Sequence, residues 1–296
     1  MSEARLLLEA GDVVGESIIW SPDERALWWI DIVGHRIHKL VPETGDHEIW
    51  PTPGLVSSIG MRKGGGFIVG LEHRVAFWSP GGEFETFVVP EPDRPDNRLN
   101  EGVVAPDGSF WVGTMQNNVN PDGSPREMTG NTGAIYRITP DAGVTRLTPA
   151  EFGITNTMVW LDDGRFITAD MLKNALYTLE VRPDGSLGPR QMFCEPPLRG
   201  LPDGSTRDAE GRLYNARVVD GRAIARFTSN GRLDRYFDLP CRAPTSCTFG
   251  GPDLETLFVT SSRFGLSAEE TRAHPEDGAL FALDVGARGL PSPRFG

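Results

Sequence analysis

Pro106-Asp107-Gly108 running into Phe110-Trp111-Val112 is a tight turn followed by a short strand. Pro, Asp and Gly favour the corner, while aromatic and β-branched residues fit a pleated surface. The same pattern recurs along the chain. Upstream it reads Ser21-Pro22-Asp23 to Leu27-Trp28-Trp29-Ile30, and Lys63-Gly64-Gly65-Gly66 to Phe67-Ile68-Val69. Downstream it reads Asp162-Asp163-Gly164 to Phe166-Ile167-Thr168, Glu210-Gly211 to Leu213-Tyr214, and Gly251-Pro252-Asp253 to Leu257-Phe258-Val259. The turns at 23, 64, 107, 163, 210 and 253 stand 41 to 56 residues apart, close to the length of a four-stranded propeller blade. Most copies are followed by a second strand, such as Arg36–Leu40, Ala134–Ile138, Ala175–Leu179 or Ala279–Leu283. The expectation is an all-β, six-bladed β-propeller of four-stranded antiparallel blades, filling residues 1–296 as a single domain.

Helix signals are too few for a parallel α/β fold, which needs an amphipathic helix between most strands. The best is the capping box Ser267-Ala268-Glu269-Glu270, enough for a turn or two before Pro275. Asn117 to Thr132, rich in Asn, Gly and Pro, reads as a long loop of the kind that shapes a binding site.

Hydrophobic residues make up 39% of the chain and charged residues 24%, which supports a core and argues against disorder. A formal net charge of -12 argues against nucleic acid or an anionic membrane as partner. No apolar run approaches the ~18 residues of a membrane span, and Met1 to Gly11 lacks the basic-then-apolar pattern of a secretory signal. A cytoplasmic protein is expected, a monomer or weak homo-oligomer. Cys194, Cys241 and Cys247 cannot all pair and are expected to be reduced, partly buried thiols.

There is no phosphate-binding loop, no His-Glu-x-x-His zinc signature and no Gly-x-Ser-x-Gly nucleophile turn. Gly60, Gly64, Gly65 and Gly66 read as a tight strand connection. His35 and His38, three apart on a strand, face opposite ways and do not make a ligand pair. What remains is a set of oxygen-bearing residues upstream of four blade turns: Gly15-Glu16-Ser17, Arg98-Leu99-Asn100-Glu101-Gly102, Ile154-Thr155-Asn156-Thr157 and Leu201-Pro202-Asp203-Gly204. In a propeller these fall near the starts of innermost strands, beside the axial channel. Such carboxylates and carboxamides suit Ca²⁺, Mg²⁺ or Mn²⁺, and carboxylates also hold Zn²⁺ or Fe²⁺; equally, Asn and Asp beside Gly are ordinary turn residues.

Taken in order, Gly15-Glu16-Ser17 with Trp20, Arg98-x-Asn100-Glu101-Gly102, Gly113-Thr114-Met115, Asn156, Gly200-Leu201-Pro202-Asp203-Gly204, and Pro244-Thr245-Ser246 with Phe249-Gly250-Gly251 resemble the successive landmarks of the SMP-30/gluconolactonase/regucalcin family. The resemblance implies a six-bladed propeller hydrolysing a sugar lactone with one divalent metal ion (Ca, Zn, Mg, Mn or Fe). By similarity Glu16, Asn156 and Asp203 would be its ligands, and Arg98 and Asn100 would contact the sugar, with Glu101 following them. Some relatives carry an acidic substrate contact after Gly-Thr-Met, where this chain has Gln116-Asn117-Asn118; Asn118 is then a substrate-binding candidate, because an amide both donates to and accepts from hydroxyls.

On this reading Asp203, ligand and carboxylate at once, orients or deprotonates the attacking water. Substrates to consider are L-arabinono-, D-xylono-, D-galactono- and D-gluconolactone. A calcium-dependent hydrolase of phosphotriester type and a non-catalytic metal-binding propeller are the alternatives.

Overall fold

The computed structural model describes residues 4–195 and 198–296; the first three residues of the Met1 to Gly11 stretch lie outside it. The six blades expected from the turn spacing are all present, each a four-stranded antiparallel sheet. Blades 1 to 5 take their strands consecutively, from Gly15–Ser21 in blade 1 to Leu233–Asp238 in blade 5. Blade 6 is composite. Its strands Pro244–Gly250, Thr256–Ser261 and Leu280–Asp284 are completed by Arg5–Leu8, which pairs antiparallel with Leu280–Asp284 and closes the ring. Closing the ring packs every blade between two neighbours and leaves the outermost strand of each as its edge.

The expected turns join each innermost strand to the second strand of its blade. Gly65 and Gly66 take left-handed φ values of 88° and 67° there, whereas Gly60 belongs to the inner strand Val56–Met61. A methyl on Gly60 would come within 2.6 Å of Val104 in blade 3, so its task is close packing of blades rather than turning. The single α-helix among the described residues, Ala268–Ala273, begins with the expected capping box of Ser267 and Glu270. His35 is an exposed turn residue at φ 53°, while His38 is buried and stacked on Trp29 and His47. All three cysteines are free and buried.

Apolar residues gather in six clusters, one at each seam between neighbouring blades. At the seam of blades 1 and 2, for example, Trp28 packs on Trp50, Phe67 and Trp78. The core is thus a ring, and the space left on the axis is free to carry polar side chains. Every innermost strand also shows a register shift near its start, as between Glu16 and Ile19, Leu99 and Gly102, Asn156 and Met158, or Pro202 and Ser205. These are β-bulges, devices that re-aim side chains.

The chain ends with a strap that crosses the turns at the other end of the ring. Ala209 N donates to Arg288 O at 2.8 Å and Gly289 N to Leu254 O at 2.8 Å; further on, Lys63 N donates to Phe295 O at 2.9 Å and Gly296 N to Gly108 O at 3.1 Å. Arg294 pairs with Asp23. Turns of blades 5, 6, 1, 2 and 3 are laced together in this way.

Candidate active site

The bulges aim side chains of four blades into one cavity of about 360 Å³ at the end of the channel where the innermost strands begin. Glu16, Arg98, Asn100, Asn118, Asn156 and Asp203 all line it. Left-handed backbone at Ser17 (φ 50°) and Thr157 (φ 57°) makes two of the kinks; such strain in residues other than Gly persists only where the surroundings enforce it. The enforcing contacts run from blade to blade. Ile59 N donates to Ser17 Oγ at 3.0 Å, Asn100 Nδ2 to Thr155 O at 2.8 Å, and Thr157 Oγ1 to Asp203 O at 2.5 Å; Thr245 Oγ1 donates to Gly15 O.

Glu16 is 7% and Asp203 5% exposed, and their carboxyls lie close enough to share a proton. Burial raises Glu16 to about 7, against the lowering effect of the Ser17 N–H at 2.9 Å and of the Arg98 charge. Burial, then the charges of Glu16 and Glu101, hold Asp203 well above the usual carboxylate range. Two buried carboxyls in this arrangement call for a proton or a cation between them.

Asn156 supplies the complement. Its Oδ1 accepts from Asn100 Nδ2 at 3.1 Å, and its Nδ2 is buried with no partner. That bond fixes the amide's orientation, since turning it over would set nitrogen against Asn100 Nδ2, and the oxygen keeps a second lone pair for a cation. Among the described residues no three His, Cys, Asp or Glu side chains gather to hold a metal, so a cation between Glu16 and Asp203 would need carboxamide oxygen as well. Carboxylates plus carboxamide form a hard donor set that fits Ca²⁺, Mg²⁺ or Mn²⁺.

Arg98 anchors the other side of the floor. Its Nη1 donates to Asn100 Oδ1 and Leu99 O, both at 2.8 Å, and its Nη2 to Asn118 Oδ1 at 2.9 Å; Nε has no partner. Burial lowers it to about 10, leaving it a cation at neutral pH. Of the stretch Gln116-Asn117-Asn118, only Asn118 reaches the cavity. Gln116 Oε1 accepts from the backbone of Thr129 and Gly130 at 2.7 and 3.1 Å, and Asn117 Oδ1 from Val119 N at 3.0 Å, so both brace the long loop.

Glu101, expected to contact substrate, does not line the cavity. The bulge between Leu99 and Gly102 falls on Asn100 and Glu101 and leaves only Asn100 facing the floor. It stays buried in the channel, where burial and the charge of Glu16 raise it to about 8, and its own charge reaches Asp203 and the Cys247 thiol.

Two supporting residues escaped the sequence reading. Asn215 Nδ2 donates to Asp203 O and Ser205 Oγ, both at 2.9 Å, and Arg217 Nη1 donates to Asn215 Oδ1 at 2.8 Å. Arg217 is fully buried, with its other donors on Arg199 O, Gly200 O and Asn174 Oδ1. A charged residue inside the buried strand Leu213–Val218 was the available signal. Asn215→Ala strips a donor from the bulge that carries Asp203 and leaves an Arg217 donor unpaired. The expected cost is about 1–3 kcal/mol in chemical denaturation.

The pattern of the SMP-30/gluconolactonase/LRE-like region matches residues 14–263. A 6-deoxy-6-sulfogluconolactonase of Pseudomonas putida is 32% identical over 96% of this chain and 95% of its own. A pentonolactonase of Haloferax volcanii is 30% identical over 95% of this chain and 94% of its own. Among solved structures, regucalcin from Agrobacterium tumefaciens, described as a calcium-binding protein, superposes with a TM-score of 0.90 at 26% identity, covering 100% of this chain and 98% of that one. With the pattern matched over most of its length and relatives aligned almost end to end, this chain belongs to the SMP-30/gluconolactonase/LRE-like family.

Proposed function

We propose that the protein is a sugar lactonase that opens an aldonolactone to its aldonic acid, with a divalent cation held by Glu16, Asn156 and Asp203. The observation that carries this reading is the pair of buried carboxyls, Glu16 and Asp203, facing each other beside the Asn156 amide oxygen on the floor of an open cavity. Relatives named as lactonases over nearly their whole length support the reaction class. An open cavity beside the carboxyls favours an enzyme over a purely cation-binding propeller.

When bound, the cation supplies Lewis acidity and positive charge at the scissile ester. Asp203 orients a water molecule and takes a proton from it as the water oxygen attacks the carbonyl carbon; the ring C–O bond then breaks, and that proton returns to the departing ring oxygen. Arg98, its Nε–H unspent, and Asn118 hold the hydroxyls next to the carbonyl. Asn100 fixes the orientation of both Arg98 and Asn156.

Hydrolysis of an aldonolactone panel followed with a pH indicator, after chelation and re-addition of single divalent ions, tests the proposal. Activity that follows the cation supports it, and a panel hydrolysed by no cation form sinks it. Organophosphate triesters in the same assay separate the phosphotriesterase alternative. Arg98→Ala should lower kcat/KM by roughly ten- to a hundredfold, the worth of one charge-assisted hydrogen bond, and leave the cation-induced rise in melting temperature intact.

A further inference from the structure

The cavity is polar on its floor and apolar on its wall. Beyond the ends of the inner strands, loops of blades 1, 3, 4, 5 and 6 contribute Val33, Val119, Met171, Val219, Phe264 and Leu266. Most of the polar groups that share this wall are engaged. Ser262 Oγ donates to Val13 O at 2.8 Å, Thr245 Oγ1 to Gly15 O, and Asp277 accepts from the Arg242 backbone N–H at 2.7 Å and Nε at 2.8 Å. Two polar groups stand apart from these bonds: Asp220, exposed at the rim and only loosely paired with Arg222 at 3.6 Å, and Arg242 Nη2, which has no hydrogen-bond partner.

The loop from Asn117 to Thr132 confines this space from the side. A side chain at Gly123 would come within 3.3 Å of Val33, and one at Gly265 within 3.5 Å of Pro125, so the tip of a blade 3 loop rests against blades 1 and 6. At the rim Val219 is 62% exposed and takes φ 55°, with Asp220 at 56°. A β-branched residue in that region costs about 1–2 kcal/mol, and its exposure leaves it little packing to offset the cost. A wall of this kind strips water from whatever part of a ligand points away from the floor.

Resting on the lactonase reading, we propose that the preferred substrate is a lactone hydroxylated near its carbonyl and deoxygenated at its far end, where a methyl or longer alkyl group meets the apolar wall. A terminal hydroxyl set against the six apolar side chains would leave water without a partner, at a cost of about 1–3 kcal/mol, whereas each buried methylene contributes about 0.8 kcal/mol.

The test compares D-galactono-1,4-lactone with its 6-deoxy counterpart, D-fucono-1,4-lactone, which differ by one oxygen. The expected ratio of kcat/KM is about tenfold in favour of the 6-deoxy lactone. Phe264→Ser and Val219→Asn should each cut that ratio severalfold; should Phe264→Ser fail to fold, the exposed Val219→Asn still reports. A wild-type ratio at or below one overturns the preference and leaves the lactonase reading standing. If neither lactone is hydrolysed, the lactonase reading is what has failed, and the corresponding lactams, compared by thermal-shift titration, decide the wall's preference without turnover. Tighter binding of the deoxy lactam supports the proposal, and equal binding overturns it.

Discussion

Asp203→Asn is expected to lower kcat by about a thousandfold, within the range for loss of a positioned base, while the protein itself melts at a higher temperature in chelator. The two outcomes have one cause. Asp203 is buried against Glu16 within reach of the charge of Glu101, so with no cation present its ionised form is repelled by both. The amide keeps the shape and removes that repulsion, but cannot take a proton from water. Steady-state kinetics on a hydrolysed lactone and scanning calorimetry in chelator check the two halves. A variant with near wild-type turnover would remove Asp203 from the chemistry, and one that melts lower in chelator would show that the carboxyls do not repel.

The second large effect is a rise in melting temperature on adding a divalent cation, small at pH 5 and large at pH 8. Glu16, Glu101 and Asp203 are all raised above ordinary carboxylate values by burial. The folded protein therefore holds these protons more tightly than the unfolded chain. Their stabilising effect is present below the unfolded pKa values of roughly 4 and is lost as pH rises through the folded values, about 7 for Glu16 and about 8 for Glu101. A cation replaces the protons and restores what was lost, so its effect grows over the same window. At a hundredfold excess over Kd the stabilisation is about 2.7 kcal/mol, or roughly 5 °C for a chain of this size. A shift independent of pH would place the cation away from these carboxyls.

The ring of blades was legible because its turns must be built from a narrow set of residues at a regular spacing. Outer strands were not legible, since an edge facing solvent makes few demands: Val144–Arg146 is three exposed residues and Gln191–Met192 only two. Arg5–Leu8 carries no mark of the blade it completes, because pairing across the chain's two ends leaves no local pattern. At the site, Glu16, Arg98, Asn100, Asn118, Asn156 and Asp203 reached one cavity because strand starts converge in a propeller; Glu101 did not, because the bulge it shares with Asn100 sends the two side chains different ways. The bulges, the brace of Asn215 and Arg217, and the apolar wall depend on contacts between blades, which one repeat alone does not encode.

Residues 288–296 lace the far end of the ring, and the cavity opens at the opposite end. For a lactonase the two travellers differ in charge: the lactone arrives neutral and the acid departs as an anion. A net charge of -12 acts at long range on the second alone, repelling the acid once it has left the cavity. Salt would dull that discrimination by shortening the reach of the field.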